Sequence, residues 1–306
     1  MKKHKQTYIG KPIRNASRKK ADRVKNIRFL SFIVLAIVFI VALVYLITNL
    51  IRDRHSQEVE QELQEIVQSA TIFDPYGFPV AGESAYGFVF LNHNTLRDSE
   101  ISILPQYVSL YNQNSDMIGW LKIDDTLIDY PVMQTMEDEE YYLYRGFDKA
   151  ENNCGCLIMD TDSSAGVGNL EEGYALGDIP STNLIIHGHT MKTGEMFGDL
   201  QLYKSEDYGK EHSIIKFDSL YEQREYKLIS VFYSKVYYED EDVFKYYKFF
   251  NANSIEEFDD WYRNIKSLSL YDTGVEATFG DEFITLSCCS YQEENGRFVV
   301  IGKRLK

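Results

Sequence analysis

The sequence predicts a mainly β fold, an antiparallel barrel or sandwich, that is attached to one membrane-spanning helix. Short apolar or alternating runs recur between polar, often glycine-containing loops in the C-terminal part of the 306-residue chain. This pattern favours a barrel or sandwich over a doubly wound sheet. Before these runs stands a stretch of 23 residues without a charge, which predicts the helix.

The uncharged stretch is "FLSFIVLAIVFIVALVYLITNLI", residues 29 to 51. A helix needs roughly 20 apolar residues to span a bilayer, so this stretch is long enough with a modest tilt. It is too long for the apolar region of a cleaved signal peptide, and no small-residue cleavage site follows it. Core helices rarely run this far without a polar face. We therefore predict a permanent membrane anchor.

The charges on either side of this stretch predict its orientation. Residues 1 to 28 contain eleven Lys or Arg and one acid, whereas the whole chain carries a net charge of −15. Because basic flanks stay in the cytoplasm, residues 1 to 28 are expected to form a cytoplasmic tail and residues 52 to 306 to lie outside the cell. The protein is thus expected in the cell membrane as a single-pass protein.

The outer part is divided by composition. Residues 52 to 69 are rich in helix formers and charges and predict a solvated helical stalk. The following "FDPYGFPVAGES" is dense in Pro and Gly and indicates a break. We expect an extracellular stalk and linker over residues 52 to 95 and one folded domain over residues 96 to 306.

Within this domain the sequence predicts a short helix at residues 104 to 112 and then a series of strands. A later helix begins at Ser254, which forms a capping box with Glu257, and continues to Leu268 with one apolar face. The predicted strands are "DMIGWLKI", "LIDYPVMQ", "CGCLIMD", "TNLIIHG", "SIIKFD", "REYKLISVFYS", "EFITLSCC" and "RFVVIGKRL".

Four cysteines are too few for a disulfide-stabilised scaffold in an extracellular domain of this size. The role of each cysteine is therefore inferred from its position in the sequence. In "EFITLSCC" successive side chains alternate between the two faces of a strand. Cys288 shares a wholly apolar face with Ile284 and Leu286, whereas Cys289 shares its face with Thr285 and Ser287. A free cysteine is most often a buried hydrophobe, which suits Cys288. Cys289 is the better candidate for a nucleophile.

A nucleophilic thiolate usually needs a nearby imidazole or cation. "LIIHGHT" provides His187 and His189, which share a strand face, so alternation cannot choose between them. The alternative use of these residues is a metal site. A zinc ion could be bound by the C-x-C motif at Cys154 and Cys156, the H-x-H motif and the adjacent cysteines. None has the C-x2-C spacing of common structural zinc sites, so no metal site is expected.

Four ordered segments resemble the sortase family. "TLSCC" is similar to its T-L-x-T-C signature, "IIHGHT" to its catalytic-histidine segment, and "NGRFVVIGK" to the strand that carries its arginine. "NSDMIGWLKIDDTLIDYPVMQT" and the helix before the last Cys strand resemble class B members. The resemblance covers roughly residues 96 to 306, and it implies a closed antiparallel β-barrel with an N-terminal helix and a helix in the long loop before the Cys strand.

By position, the resemblance implies that Cys289 is the nucleophile, His189 the imidazole and Arg297 the guanidinium. Ser287, Thr285 and Tyr291 are expected to contact the substrate. The implied enzyme is a cysteine transpeptidase that cleaves the sorting signal of a secreted protein and holds the acyl part as a thioester. An amine then releases it, from the peptidoglycan cross-bridge or lipid II, or from a pilin lysine. No cofactor, metal or nucleic acid is expected.

Two other functions stay open, a membrane-tethered cysteine hydrolase that gives water access to the thioester and a non-catalytic surface binding protein. The chain also departs from the family pattern. Cys288 stands where the family usually has Thr, and residues 161 to 183 form an insertion longer than class B members lead one to expect. "DPY" at residues 74 to 76 resembles the lid of pilin-type sortases.

Overall fold

The structure is a computed structural model that describes residues 13–70, 101–171, 173–175, 177–292 and 294–305. The predicted linker over residues 71 to 95, with its "DPY" segment, lies outside the described residues. The helices are α1 (Ile13–Ala70), α2 (Pro105–Gln113), α3 (Glu206–Glu211) and α4 (Ile255–Leu268), and 3₁₀ turns occur at Asp199–Lys204 and Tyr246–Lys248.

Eight strands close into a barrel, and two short strands form a separate hairpin. The strands are β1 (Met117–Lys122), β2 (Asp129–Met133), β3 (Leu157–Met159), β4 (Gly168–Asn169), β5 (Gly173–Tyr174), β6 (Asn183–Gly188), β7 (Ile214–Ser219), β8 (Glu225–Lys235), β9 (Phe283–Cys289) and β10 (Gly296–Arg304). The order around the barrel is β1-β2-β3-β6-β9-β10-β8-β7. The predicted barrel is confirmed, and a sandwich is excluded.

The barrel is not purely antiparallel. Pairs β2–β3 and β6–β9 are parallel, whereas the other neighbouring pairs are antiparallel. A parallel pair needs a crossover connection, and between β6 and β9 this crossover contains β7, β8, α3 and α4. The strand of "LIIHGHT" and the strand of the Cys pair therefore run side by side in one direction.

Alternation along β9 separates two hydrophobic layers. Ile284, Leu286 and Cys288 face the barrel interior with side chains from the other strands. Phe283 faces outward and packs with α4, whose Trp261 stacks on Phe249 with ring centroids 4.3 Å apart. The predicted α4 begins as expected, because the Ser254 side chain accepts a hydrogen bond from the Glu257 N–H.

The chain divides into two compact units, residues 1–53 and 54–306, and the boundary between them falls within helix α1. In the first, the stretch at residues 29–51 is exposed and is long and apolar enough to cross a membrane. In the second, the predicted solvated stalk is instead packed against the folded domain. Leu63 is only 3% exposed, and Val59, Ile66 and Val67 join the same cluster as Tyr107 of α2.

The long insertion at residues 161 to 183 contains the β4–β5 hairpin, and Glu222 ties this hairpin to the barrel. The Glu222 carboxylate accepts hydrogen bonds from the Leu170 N–H at 3.0 Å and the Tyr174 hydroxyl at 2.8 Å. It also pairs with Arg224 at 2.8 Å and with Arg304 at 2.6 Å. The insertion is thus an ordered part of the domain wherever the structure describes it.

Candidate active site

Three neighbouring strands bring the predicted site residues into one row. In the parallel β6–β9 pair the last matched residues are Gly188 and Cys288, so the next residue on each chain is His189 and Cys289. In the antiparallel β9–β10 pair Cys289 lies opposite Arg297. Directly paired residues project to the same face of a sheet. Cys289 therefore lies beside Arg297, and His189 directly follows the last residue of β6 that pairs with β9; we call these three residues the row.

The two adjacent cysteines have different surroundings, as strand alternation predicts. Cys288 is 2% exposed and packs in the barrel interior near Leu286 and Phe298. Burial raises the pKa of the Cys288 thiol to about 11, although the neighbouring Thr190 and Gln201 side chains oppose this rise. Cys289 is half-buried and projects to the opposite face. Only Cys289 lies on the face that carries the row.

The ring of His189 is held from the segment that connects β2 and β3. Its Nε2 lies 2.8 Å from the carbonyl oxygen of Leu143, and the ring of Tyr144 lies 5.4 Å away, centroid to centroid. Because a carbonyl only accepts, Nε2 is assigned as the protonated nitrogen. His187 has a different partner, since its Nε2 lies 3.4 Å from a carboxylate oxygen of Asp160.

Arg297 lies at the start of β10, directly after the turn that follows Cys289. Its guanidinium donates to the Gly296 carbonyl oxygen at 3.1 Å and reaches the Asn295 carbonyl oxygen at 3.4 Å through the same nitrogen. A guanidinium has five N–H donors, so these contacts engage only one end of it. Arg297 is half-buried, and its side chain is well suited to donate to a carbonyl or an oxyanion.

The residues expected to contact substrate lie in two kinds of surroundings. Thr285 and Ser287 are each 1% exposed, and their hydroxyls are bonded to Asn183 and to Tyr246, at 2.8 and 2.7 Å. Both hydroxyls thus have a partner within the protein, and Tyr246 lies over Ser287. Tyr291 is exposed in the turn between β9 and β10, two residues after the row.

Sequence reasoning missed the groups that hold the row in place. The carbonyl of Leu143 and the ring of Tyr144 come from a loop more than 40 residues before His189, and a backbone carbonyl has no sequence signature. Thr190 is different, because it directly follows His189 in "GHT" and its hydroxyl donates to the Cys289 carbonyl oxygen at 2.7 Å. Its position beside the histidine was a signal that could have been used.

Comparison with known proteins decides the family. The chain is 32% identical over 196 residues to the Sortase B of Listeria monocytogenes, and the match covers 63% of this chain and 72% of that protein. The chain belongs to the class B sortases. No family model matches it.

Solved structures agree with this membership. Sortase B of Bacillus anthracis in complex with AAEK1 matches with a TM-score of 0.60 and 26% identity, over 84% of this chain and 99% of that one. A Staphylococcus aureus sortase B–substrate complex matches with a TM-score of 0.62 over the same shares, at 22% identity, which supports the fold alone. The predicted family and barrel are confirmed, and this sortase is a cysteine transpeptidase.

The zinc alternative finds no support in this sortase. Among the described residues, the one group of His, Cys, Asp and Glu ligand atoms within 4.8 Å of one another is Glu139, Asp160 and His187, which contains no cysteine. Both carboxylates already accept backbone N–H bonds, from Asp162 to Asp160 and from Thr161 to Glu139.

Proposed function

We propose that this sortase cleaves the C-terminal sorting signal of secreted proteins through a thioacyl intermediate on Cys289 and transfers the acyl part to an amine of the cell wall. The observation that supports the proposal is that Cys289 pairs with Arg297 while His189 directly follows the end of the neighbouring strand β6. This arrangement joins a nucleophile, an acid–base group and a cation on one face of the barrel.

The first half-reaction follows from these groups. The Cys289 thiolate attacks the scissile carbonyl carbon, and Arg297 donates hydrogen bonds to the substrate carbonyl or the developing oxyanion. His189 in its imidazolium form gives a proton to the leaving amine, and the carbon–nitrogen bond breaks. The products are a thioester on Cys289 and the free C-terminal fragment. The Leu143 carbonyl holds Nε2, so Nδ1 is the nitrogen proposed to transfer this proton.

The second half-reaction exchanges the thioester for an amide. An acceptor amine attacks the thioester carbonyl, His189 takes a proton from the attacking nitrogen, and the thiolate of Cys289 leaves. Two complexes among the similar structures support these substrate classes, one a sortase B–substrate complex and the other a sortase B complexed with triglycine, whose terminal amine is a possible acceptor. We propose a peptidoglycan cross-bridge amine, free or on lipid II, as the acceptor. A pilin lysine is the alternative outcome.

The proposed location is the outer face of the cell membrane. Residues 29 to 51 would anchor the protein, and the eleven basic residues before them favour a cytoplasmic N-terminus. The row of site residues would then meet exported proteins as they leave the membrane. Protease added to intact protoplasts should remove the domain after residue 52, and full protection of this domain would contradict the orientation.

Trapping the intermediate tests the chemistry. The full-length protein in detergent is incubated with a panel of sorting-signal peptides, with and without an amine acceptor, and its tryptic peptides are analysed by mass spectrometry. We expect the acyl group on Cys289, and we expect Cys289→Ala to lose it while Cys288→Ala keeps it. An acyl group on Cys288 contradicts the assignment. Release as free acid even at saturating amine indicates a hydrolase, and no adduct with any peptide indicates a binding protein.

A further inference from the structure

The backbone hydrogen bonding between the segment that carries His189 and strand β9 stops just before His189 and Cys289. The backbone pairing of β6 with β9 ends at Gly188 and Cys288. Beyond this point the carbonyl of His189 accepts from the Phe197 N–H at 2.9 Å, and Thr190 forms a bridge with Met196. The chain that carries His189 is thus bonded to the segment at residues 196 to 197, rather than to β9, at the position where the two reacting side chains must meet.

A side-chain hydrogen bond replaces the missing backbone pairing. The Thr190 hydroxyl donates to the carbonyl oxygen of Cys289 at 2.7 Å, the usual length of a well-formed O–H···O hydrogen bond. Gln201 lies near the same carbonyl, with its Nε2 3.4 Å away and also 3.4 Å from the Cys288 sulfur. The bond from Thr190 is therefore the shorter of the two, and it joins the residue after His189 to the peptide of Cys289.

We propose that Thr190 is a positioning residue, whose hydroxyl fixes the His189 segment against the backbone of Cys289. The proposal rests on the proposed function, in which His189 and Cys289 act on the nitrogen and the carbonyl carbon of the same substrate bond. Reacting groups must be held within a few tenths of an ångström, and a misplacement of about 1 Å can cost about 100-fold in rate. A hydrogen bond between the residue after His189 and the backbone of Cys289 constrains this geometry directly.

The alternative is that this hydroxyl only stabilises the fold, as a buried polar contact of ordinary strength. The two roles differ in what they affect. A structural bond lowers the thermal unfolding temperature and leaves the turnover of the folded fraction unchanged. A positioning bond lowers kcat at nearly constant KM, because substrate binding does not depend on the spacing of the imidazole and the thiol.

The test compares replacements of Thr190 in the full-length protein. Thr190→Val keeps the shape and removes the donor, and Thr190→Ser keeps the donor and removes the methyl group. Thr193→Val is the matched control, since the exposed Thr193 lies in the same loop and its hydroxyl donates to the side chain of Glu195 instead. If Thr190→Val does not fold, Thr190→Ala against Thr190→Ser isolates the hydroxyl in the same way.

Wild-type protein must first give an acyl adduct on Cys289; absence of that adduct contradicts the proposed function and not the role of Thr190. Kinetics are then measured with one peptide and one amine, together with the pH dependence of Cys289 alkylation by iodoacetamide, read on the Cys289 peptide. We expect Thr190→Val to lower kcat about 10- to 100-fold with KM within about threefold, and to change the pH profile of alkylation. Thr190→Ser and Thr193→Val should stay within about threefold of wild type.

Three results overturn the proposal. The first is a Thr190→Val protein whose kcat is within about threefold of wild type. The second is a Thr190→Ser protein that loses as much rate as Thr190→Val, since the retained hydroxyl then rescues nothing. A loss of kcat in Thr190→Val that is matched by its loss of folded protein, with an unchanged pH profile of alkylation, assigns the bond to the fold and also contradicts a positioning role.

Discussion

Replacing Glu222 should unfold the domain at a lower temperature, because this carboxylate neutralises two buried guanidinium groups. The Arg224 side chain is fully buried, and the Arg304 side chain is 10% exposed. Both pair with Glu222, which also receives the Leu170 N–H and the Tyr174 hydroxyl from the β4–β5 hairpin. Glu222→Ala leaves a buried cation without its counter-charge and frees the hairpin.

The expected size follows from the burial of this network. Removing one partner of a buried ion pair costs about 3 to 5 kcal/mol. For a domain of this size 1 kcal/mol corresponds to about 2 to 4 °C in the midpoint of thermal unfolding, so Glu222→Ala should lower this midpoint by about 6 to 20 °C. Arg304 keeps its second partner Glu282 at 2.6 Å, which favours the lower part of that range.

The pH dependence of the effect gives a sharper test. Burial alone would raise the pKa of Glu222, but hydrogen bonds from Leu170, Arg224 and Tyr174 and the charge of Arg224 outweigh burial and lower it below its ordinary value of 4.5. A lowered pKa in the folded state stabilises above the unfolded value, and this stability is lost as the pH falls through the folded value. The difference between wild type and Glu222→Gln should therefore be full at pH 7 and shrink below about pH 4.5.

Differential scanning fluorimetry of the full-length protein in detergent measures both effects. Glu225→Gln is the matched control, since Glu225 is an exposed carboxylate at the start of β8 and should change the midpoint by no more than about 2 °C. A Glu222→Ala midpoint within about 2 °C of wild type at pH 7 would refute the reasoning, because even 1 kcal/mol would shift it that far. So would a gap between wild type and Glu222→Gln that stays constant as the pH falls well below the ordinary carboxylate range.

Three shorter predictions concern the site and the docked part of α1. His189→Ala should abolish turnover of a sorting-signal peptide while His187→Ala retains it; the reverse result would show that the family match selected the wrong histidine. Cys288→Thr should keep kcat within a few-fold, because the side chain faces the core, and a loss comparable to Cys289→Ala would show that Cys288 takes part in the chemistry. Burial and the nearby Glu195 raise the pKa of Glu60 to about 7, so stability should fall as the pH rises from about 4.5 to 7. Glu60→Gln should remove that fall in thermal unfolding curves, and an unchanged slope would mean that Glu60 does not titrate there.

Local periodicity predicted much of the fold because alternation along a strand does not depend on distant residues. It separated the faces of Cys288 and Cys289 on β9. The parallel pairing of β6 with β9 could not be predicted in this way. This pairing depends on a crossover of more than 90 residues. It also depends on the order β3-β6-β9-β10 around the closed barrel, which local periodicity does not determine.

The packing of the C-terminal part of α1 could have been predicted from the spacing of its apolar residues. Val59, Leu63, Ile66 and Val67 follow the spacing i, i+4, i+7 and i+8, which is the apolar stripe of a helix that packs on a core. The charged residues around this stripe favoured a solvated stalk. A narrow stripe is enough when the partner surface, here built around Tyr107 of α2, is itself apolar.

The substitution of Cys288 for the usual Thr changes the site less than its position suggests. Its side chain lies in the barrel interior, and burial raises the pKa of its thiol to about 11. At pH 7 a thiol with this pKa is ionised in only about one molecule in ten thousand. Thiolate chemistry at Cys288 would also require the strand to turn its interior face outward, at the cost of the core contacts of Leu286 and Phe298. Two adjacent cysteines can therefore coexist beside one histidine, because the pleat of β9 assigns one to the core and one to the row.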